Sequence, residues 1–188
     1  MEIRNIFKNR SKKSGFTMIE MIAAMVLVSI LVPGISLIVR GSLLNVAFTN
    51  MAVLANMEAD FAQRKFVKHI NGVKSFSAGE LSDNSLKFTS YFDNTLYEYT
   101  IDEGTNTIKY SKDGGSSGIL LQRVVKDTTI DADQYVSRFK YKDKNNNDLG
   151  DSPTASDVNG VELTFYLLRG ESFYKYTTFA TIDDNQLD

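Results

Sequence analysis

Two different patterns of apolar residues divide the chain. From Phe16 to Val39 the side chains are apolar or small and carry a single charge, at Glu20. A helix rises about 1.5 Å per residue and needs about 20 residues to cross a bilayer core, so this run predicts a membrane-spanning helix. Beyond Arg40, apolar residues recur at mixed three- and four-residue spacing as far as Ile70. The helix is therefore expected to continue out of the membrane.

The predicted helix runs from Phe16 to about Ile70. Pro33-Gly34 interrupts its apolar part, and we expect a kink or a loosened turn there, because neighbouring helices can satisfy the freed backbone groups in lipid. Asn71-Gly72 predicts the C-cap. In the amphipathic half we expect the apolar stripe to pack mostly on the chain's own head rather than to form a separate partner groove. The stripe consists of Leu43, Leu44, Ala47, Met51, Leu54, Met57, Phe61 and Ile70.

After Val73 the period of the apolar pattern changes to two, and β-branched and aromatic residues alternate with turn-forming clusters. We predict a β-meander, a flexible hairpin loop, a long polar loop and two long closing strands. The strand segments are residues 86–92, 96–101, 107–110, 119–125, 135–141, 161–168 and 172–182. The predicted fold class is α+β, with a long N-terminal helix packed on an antiparallel β-sheet head.

Charge and cysteine content indicate the side of the membrane on which the chain lies and exclude some classes of partner and site. The segment before the helix carries five cations against the single acid Glu2, and such positive segments stay on the cytoplasmic side. The bulk of the chain is then expected outside. The formal net charge is −2 and becomes more negative without this segment, so nucleic acid is not expected as a partner. The sequence contains no Cys, which excludes disulfides and thiolate metal sites.

The boundary between the basic segment and the helix is unusual for a secretory signal. The small pair Ser14-Gly15 precedes the apolar run, whereas an ordinary signal peptide has its small-residue cleavage site after it. Cleavage at this boundary would leave the helix on the mature protein. Glu20 needs a cationic partner, because a carboxylate costs about 2.5 to 3.5 kcal/mol at mid-bilayer. The alternative is a signal-anchor helix whose Glu20 snorkels to the interface.

The order of these features resembles the type IV pilin and pseudopilin family: a basic leader, Gly15, Phe16-Thr17-Met18-Ile19-Glu20-Met21, and a long apolar helix. The resemblance implies a type IV pilin-like fold, cleavage after Gly15 by a membrane aspartyl prepilin peptidase, and N-methylation at Phe16. It also implies that Glu20 pairs with a neighbouring subunit's N-terminal amine. The chain would then comprise a cleaved leader (1–15), a transmembrane helix half (16–40), an amphipathic helix half (41–72) and a β-rich head (73–188).

A weaker resemblance links the head to J-type minor pseudopilins of type II secretion. It rests on Phe139-x-Tyr141-x-Asp143, a polar loop, Val158-Asn159-Gly160-Val161-Glu162-Leu163 and a final hairpin. It implies a structural subunit at or near the tip of a pseudopilus that primes its assembly in protein export. The alternatives are a minor pilin of a type IV or competence pilus, and a single-pass anchor that carries a β ligand-binding or enzymatic domain.

The implied partners are other minor and major pseudopilins, contacted through the N-terminal helix, together with the prepilin peptidase and an inner-membrane assembly platform. The implied location is the inner membrane, with a single pass and with the head in the periplasm or outside the cell. The chain has no Cys, no Gly-x-Ser-x-Gly motif and a single His, so the sequence offers no catalytic site. The sequence therefore predicts a structural protein rather than an enzyme.

One loop of the head has the pattern of a calcium site. Asp143, Asn145 and Asn147 place oxygen ligands at alternating positions, as calcium loops do. An EF-hand would require Gly where Asp148 stands and Glu where Thr154 stands. A solvated, Asx-rich loop is the alternative reading, and no other cofactor is expected.

Catalytic candidates are few. His69 is the single histidine, and it has no second His or Cys with which to form a metal cluster. We expect it to cap the helix or to lie at the surface. The absence of Cys and of a Gly-x-Ser-x-Gly motif removes the common nucleophiles.

Overall fold

A computed structural model describes residues 15–125 and 136–182. The chain divides into two compact units, residues 1–48 and 49–188, and the boundary falls within one helix, α1 (Met18–Ile70). The predicted helix is thereby confirmed. Pro33 lies inside α1 without ending it, as expected for an interruption that the helix tolerates.

In the first unit, the described residues form the start of α1 and its apolar run as far as Phe48. Their side chains are exposed in the isolated chain. Within the described residues, α1 is the helix that is long and apolar enough to cross a membrane. Its serine hydroxyls are satisfied locally, because Ser29, Ser36 and Ser42 donate to helix carbonyls at 2.7, 2.8 and 3.0 Å.

The second unit contains two antiparallel sheets. The first sheet is made of β1 (Val73–Phe76), β2 (Ser85–Ser90), β3 (Leu96–Asp102), β4 (Thr107–Lys112) and β5 (Gly118–Gln122), in that order. The second is made of β6 (Arg138–Lys142), β7 (Gly160–Arg169) and β8 (Ser172–Thr181), and a short 3-10 helix (Ala155–Asp157) precedes β7.

The antiparallel β-rich head is confirmed, but its strands form two sheets rather than one, and β1 adds a strand before the predicted meander. The two sheets are joined: Val124 forms a bridge with Leu167, and Val125 donates its N–H to Tyr166 O at 2.8 Å. The closing hairpin is also confirmed, with Gly170 in the left-handed conformation that its tight turn requires. Residue 135 of one predicted strand lies outside the described residues.

Three alanines of α1 lie in the hydrophobic core of the head, and we call Ala55, Ala59 and Ala62 the alanine face. All three are fully buried. Further along the same face, the ring of Phe66 lies 5.7 Å from that of Tyr99 in the first sheet and 6.1 Å from that of Phe139 in the second. The ring of Phe66 therefore packs between α1 and both sheets.

The prediction that the large apolar residues of this half pack mostly on the head is wrong. Leu54, Met57 and Phe61, which we call the outer stripe, are 55%, 65% and 62% exposed, and Met51 is 36% exposed. Ile70 is the member of the predicted set that is buried in the second unit. The helix carries two apolar series with similar spacing, and the head packs on the series with small side chains.

Polar contacts fix the same helix segment to the β7–β8 hairpin. Arg169 is only 6% exposed. Its guanidinium donates hydrogen bonds to the carboxylate of Glu58 and to the carbonyl oxygen of Leu168. The hydroxyl of Tyr176 donates to Asn56 Oδ1 at 2.7 Å. These contacts fix the register of the helix against the hairpin, because hydrogen bonds and ion pairs depend on direction. The packing of alanine side chains does not.

Candidate functional site

The residue before α1, Thr17, caps the helix. Its carbonyl accepts the N–H of Met21 at 3.2 Å, which is the first helical hydrogen bond. Glu20 Oε2 accepts the N–H of Thr17 at 2.8 Å and its hydroxyl at 3.0 Å, and the N–H of Glu20 points to Thr17 Oγ1 at 3.4 Å. This reciprocal arrangement is a capping box, which a Thr-x-x-Glu sequence favours at a helix start.

The carboxylate of Glu20 stands among apolar side chains. Phe16 and Met18 are both 82% exposed and Ile19 is 76% exposed, and the run to Val39 contains no second charged residue. Hydrogen bonds from Thr17 satisfy lone pairs of the carboxylate, but they leave its negative charge uncompensated. In a low-dielectric surrounding such a charge is strongly stabilised by a cation that comes close to it.

Gly15 is not required by the fold. A side chain at this position would meet no heavy atom within 4 Å, and the backbone there does not adopt the left-handed conformation. Packing and backbone strain therefore give no reason for glycine before Phe16.

A family model described as the prokaryotic N-terminal methylation motif matches residues 10–32. The matched region contains Gly15, Phe16, Thr17 and Glu20, whose geometry is given above. The N-terminal segment therefore carries a prepilin-type motif, which supports the type IV pilin and pseudopilin family. Compared with curated proteins and with solved structures, the chain has no match. The long helix packed on antiparallel sheets agrees with the pilin-like architecture that the motif implies.

Most of the residues predicted from the sequence meet at the start of this pilin-like helix. Gly15, Phe16 and Glu20 lie within its first turn and the residues that precede it, while residues 1–14 of the predicted leader lie outside the described residues. Cleavage after Gly15 and methylation at Phe16 stay predictions. Thr17 was missed as a partner of Glu20, although the Thr-x-x-Glu pattern is a signal that could have identified it.

The outer stripe is a second feature that the sequence reasoning did not assign to function. Its three large side chains, Leu54, Met57 and Phe61, lie on one side of α1 within the second unit and are mostly exposed. Exposed apolar residues that stand singly are normal, but a row at helical spacing forms a contiguous surface. Such a row fits the side of another helix.

The predicted calcium loop lies between β6 and β7. Asp143 Oδ1 accepts the N–H groups of Asn145 and Asn147 at 2.8 and 2.7 Å, and its Oδ2 accepts the side-chain amide of Asn147 at 2.9 Å. These bonds from Asn147 lower the pKa of Asp143. Within the described residues, no three His, Cys, Asp or Glu side chains cluster as a metal site would need. The loop oxygens serve the loop's own turns, and calcium binding stays a prediction.

His69 stands in the last turn of α1, where a cap was expected, and its side chain is half-buried rather than fully exposed. Its Nδ1 lies 2.6 Å from the hydroxyl of Tyr99, and its ring centroid lies 4.6 Å from that of Tyr97. Burial lowers the pKa of His69 to about 4, and the positive charges of Lys65 and Lys68 act in the same direction. The imidazole is therefore neutral near pH 7 and belongs to an aromatic cluster beneath the helix end.

Proposed function

We propose that the chain is a minor pseudopilin, a structural subunit that is assembled at or near the tip of a type II secretion-like pseudopilus and primes its assembly in protein export. Among minor pseudopilins the proposal is a J-type subunit. The K-type subunit is a poorer candidate, because it typically lacks the carboxylate that Glu20 supplies. The role is structural, and the head contributes surfaces rather than catalysis.

The observation that carries the proposal is the isolated carboxylate of Glu20, in the first turn of a helix that begins within a methylation motif. Cleavage after Gly15 would create an ammonium group at Phe16. A neighbouring subunit, staggered along the helix axis, would bring its ammonium to Glu20 in a low-dielectric bundle, where the two charges attract strongly. The charge that is costly in the unassembled helix then favours assembly.

The outer stripe supports the same role from the second unit. Leu54, Met57 and Phe61 each keep more than half of their area exposed, although burial of apolar area stabilises a protein by about 25 cal/mol per Å². Helices of other minor and major pseudopilins would cover these side chains. The membrane half, the prepilin peptidase and an inner-membrane assembly platform complete the proposed setting, with the head in the periplasm or outside the cell.

The lack of Cys favours a pseudopilin over an adhesive pilin, because many adhesive pilins close a C-terminal loop with a disulfide. The excess of acidic residues argues against DNA as a ligand. A calcium ion at Asp143, Asn145 and Asn147 would belong to the head's stability rather than to chemistry. A titration of the intact chain with Ca²⁺, followed by a shift in its melting temperature, tests that part.

Mass spectrometry of the membrane-extracted protein tests the processing step. We expect a mature N-terminus at methylated Phe16, and a Gly15→Val variant that keeps its leader while its head folds normally. An intact leader in the wild type, or cleavage beyond residue 40, contradicts the proposal.

The phenotype of a deletion strain distinguishes a secretion pseudopilus from a type IV or competence pilus. Loss of protein export into the medium, restored by the wild-type chain and not by Glu20→Ala, supports the pseudopilin. Normal export together with lost motility, adhesion or DNA uptake would instead indicate a minor pilin. Unchanged behaviour in all of these assays would leave the single-pass anchor with a binding domain as the better description.

A further inference from the structure

One edge of the first sheet differs from the other sheet edges. In the two described sheets the edge strands are β1, β5, β6 and β8, and β5 pairs with β4 alone. Three edge strands carry lysine: Lys74 on β1, Lys140 on β6 and Lys175 on β8. The sequence of β5 is Gly-Ile-Leu-Leu-Gln, without a charge. Lysine and proline are residues by which sheet edges resist pairing with another chain, so β5 is the edge suited to a further strand.

A cavity of about 610 Å³ lies beside this edge. It opens where the chain passes from the first sheet to the second, since Leu168 on β7 donates its N–H to Arg123 O at 3.0 Å just after the end of β5. Apolar side chains from three strands line it, Ile119 from β5, Leu168 from β7 and Phe173 from β8. Ligand pockets of proteins measure about 300 to 1,000 Å³, so the cavity has room for bulky apolar groups.

Arg123 brings a positive charge to this cavity. The described lining residues include no Asp or Glu, and within residues 15–125 and 136–182 no carboxylate forms an ion pair with its guanidinium. Its backbone φ is +60°, in the left-handed region that glycine adopts freely and an L side chain adopts at a cost. The backbone thus favours glycine, and the guanidinium has no anionic partner in the described chain that would account for an arginine.

The free edge of β5 and the cavity beside it together form what we call the β5 notch. We propose that the β5 notch binds an extended peptide segment of a partner protein, which pairs with β5, places a large apolar side chain in the cavity and brings a carboxylate to Arg123. Unpaired N–H and C=O groups of an edge strand bind such segments, and pockets beside the edge select alternate side chains. A guanidinium binds a carboxylate through two parallel hydrogen bonds. The site lies in the head and does not depend on the proposed role of the N-terminal helix.

The spacing of side chains along a strand defines the probe that tests this site. Successive side chains point to opposite faces, so an apolar and an acidic residue two positions apart lie on one face of an extended peptide. The probe is a fluorescein-labelled hexapeptide, Thr-Val-Thr-Phe-Thr-Asp, with an amidated C-terminus. Fluorescence anisotropy with the full chain in lipid nanodiscs measures its affinity.

We expect saturable binding of the probe to the wild-type chain. Binding should be weaker by about tenfold when Asn replaces the Asp of the probe, and likewise in Arg123→Gly, because a charge-assisted hydrogen bond is lost. Arg123→Lys keeps the charge and should bind within about threefold of the wild type. Arg138→Gln removes a cation of β6 outside the cavity and should leave the affinity unchanged. No saturable binding to the wild type, or equal affinity of the wild type and Arg123→Gly, overturns the proposal.

Arg123→Gly also separates binding from folding. Glycine relieves the left-handed backbone, so the melting temperature of the chain should not fall although the cation is lost. Weaker binding at an undiminished melting temperature assigns the loss to the guanidinium. If Arg123→Gly melts at a lower temperature, Arg123→Gln takes its place with the same expected loss of affinity.

Two N-methylated forms of the probe test the pairing with β5. One form is methylated on the nitrogens of its three Thr residues, and the other on those of Val, Phe and Asp. Because alternate residues of a strand direct their N–H groups to the same neighbour, one form should bind about tenfold more weakly than the other. Equal affinities of the two forms would exclude strand pairing. Displacement of the probe by an equal concentration of sodium octanoate would assign the cavity to a small carboxylate and would also overturn the proposal.

A photoreactive benzoylphenylalanine in place of the probe's Phe locates the bound peptide. Mass spectrometry should find adducts on Ile119, Leu168 or Phe173, because these side chains line the cavity. Adducts confined to other residues would show that the peptide binds elsewhere, and the β5 notch would not be the site.

Discussion

The alanine face and the outer stripe lie on the same segment of α1, yet the molecule uses them in opposite ways. Ala55, Ala59 and Ala62 are fully buried under the head, while the larger side chains of the outer stripe are more than half exposed. The head covers the small side chains, because close packing depends on fit rather than on the size of the side chain. The residues with the most apolar area are thereby left for a partner.

The largest effect is expected from Ala59→Leu on the alanine face. Extra methylene groups in a close-packed contact force the helix away from the sheets, and overpacking of this kind costs about 1 to 3 kcal/mol. Unfolding of the full chain in detergent, followed by the near-UV circular dichroism of its tyrosines, measures the loss. Leu54→Ala on the outer stripe is the matched control and should change the free energy of unfolding by less than about 0.5 kcal/mol. Equal effects would mean that the two faces do not differ in packing.

A smaller effect is expected where a polar contact holds the alanine face in register. Glu58→Gln leaves the nearly buried guanidinium of Arg169 without its anion, and breaking such a pair is destabilising. Because the Glu58 side chain is 47% exposed, solvent moderates the cost to about 1 to 2 kcal/mol. The control is Arg64→Gln, which breaks an exposed ion pair with Asp60 on the same helix and should therefore cost much less than Glu58→Gln. If Arg64→Gln lowered the free energy of unfolding more than Glu58→Gln does, the contact between Glu58 and Arg169 would not be what holds the helix in register.

The sequence predicted the helix and most strands because their signals are local. The uncharged run after Glu20, the period of two after Val73 and the turn at Gly170 each depend on neighbouring residues alone. The division into two sheets could not be read in the same way, since it depends on which distant strands pair. The bridge between Val124 and Leu167 illustrates this, because no local pattern links those residues.

The residues of the candidate site also differ in whether local sequence could predict their role. Gly15 and Glu20 stand out by position, and Thr17 was within reach of a local motif rule. The function of each helix face could not be predicted from local sequence, because apolar residues at three- and four-residue spacing occur on both the alanine face and the outer stripe. Only the location of the sheets decides which face is covered. The aromatic partners of His69 could not be predicted for the same reason, since Tyr97 and Tyr99 reach it from another element.

A pH effect of about 1 kcal/mol is expected from His69 at the end of the packed face. Its pKa is about 4 in the folded chain, against an ordinary value of 6.5. Between these values the unfolded chain binds more protons, so the free energy of unfolding decreases as the pH is lowered from about 6.5 towards 4. Partial solvent exposure reduces the effect to the order of 1 kcal/mol. His69→Phe should remove the slope in this window, and an unchanged slope would assign it to other groups.

The smallest effect on stability, and the sharpest separation of the two faces, is expected from Met57→Gln combined with Leu54→Gln. Glutamine is a good helix former, and neither side chain is covered by the head, so the free energy of unfolding should change by less than about 0.5 kcal/mol. Crosslinking to neighbouring pilin-like subunits should nevertheless fall strongly, because polar groups replace apolar area that a partner helix would bury. The yield of adducts from a photo-crosslinker at Phe61, in molecules with a processed N-terminus, measures this loss. Wild-type crosslinking by the double variant would mean that the outer stripe faces solvent in the assembled structure, and the contrast between the two faces would then concern folding alone.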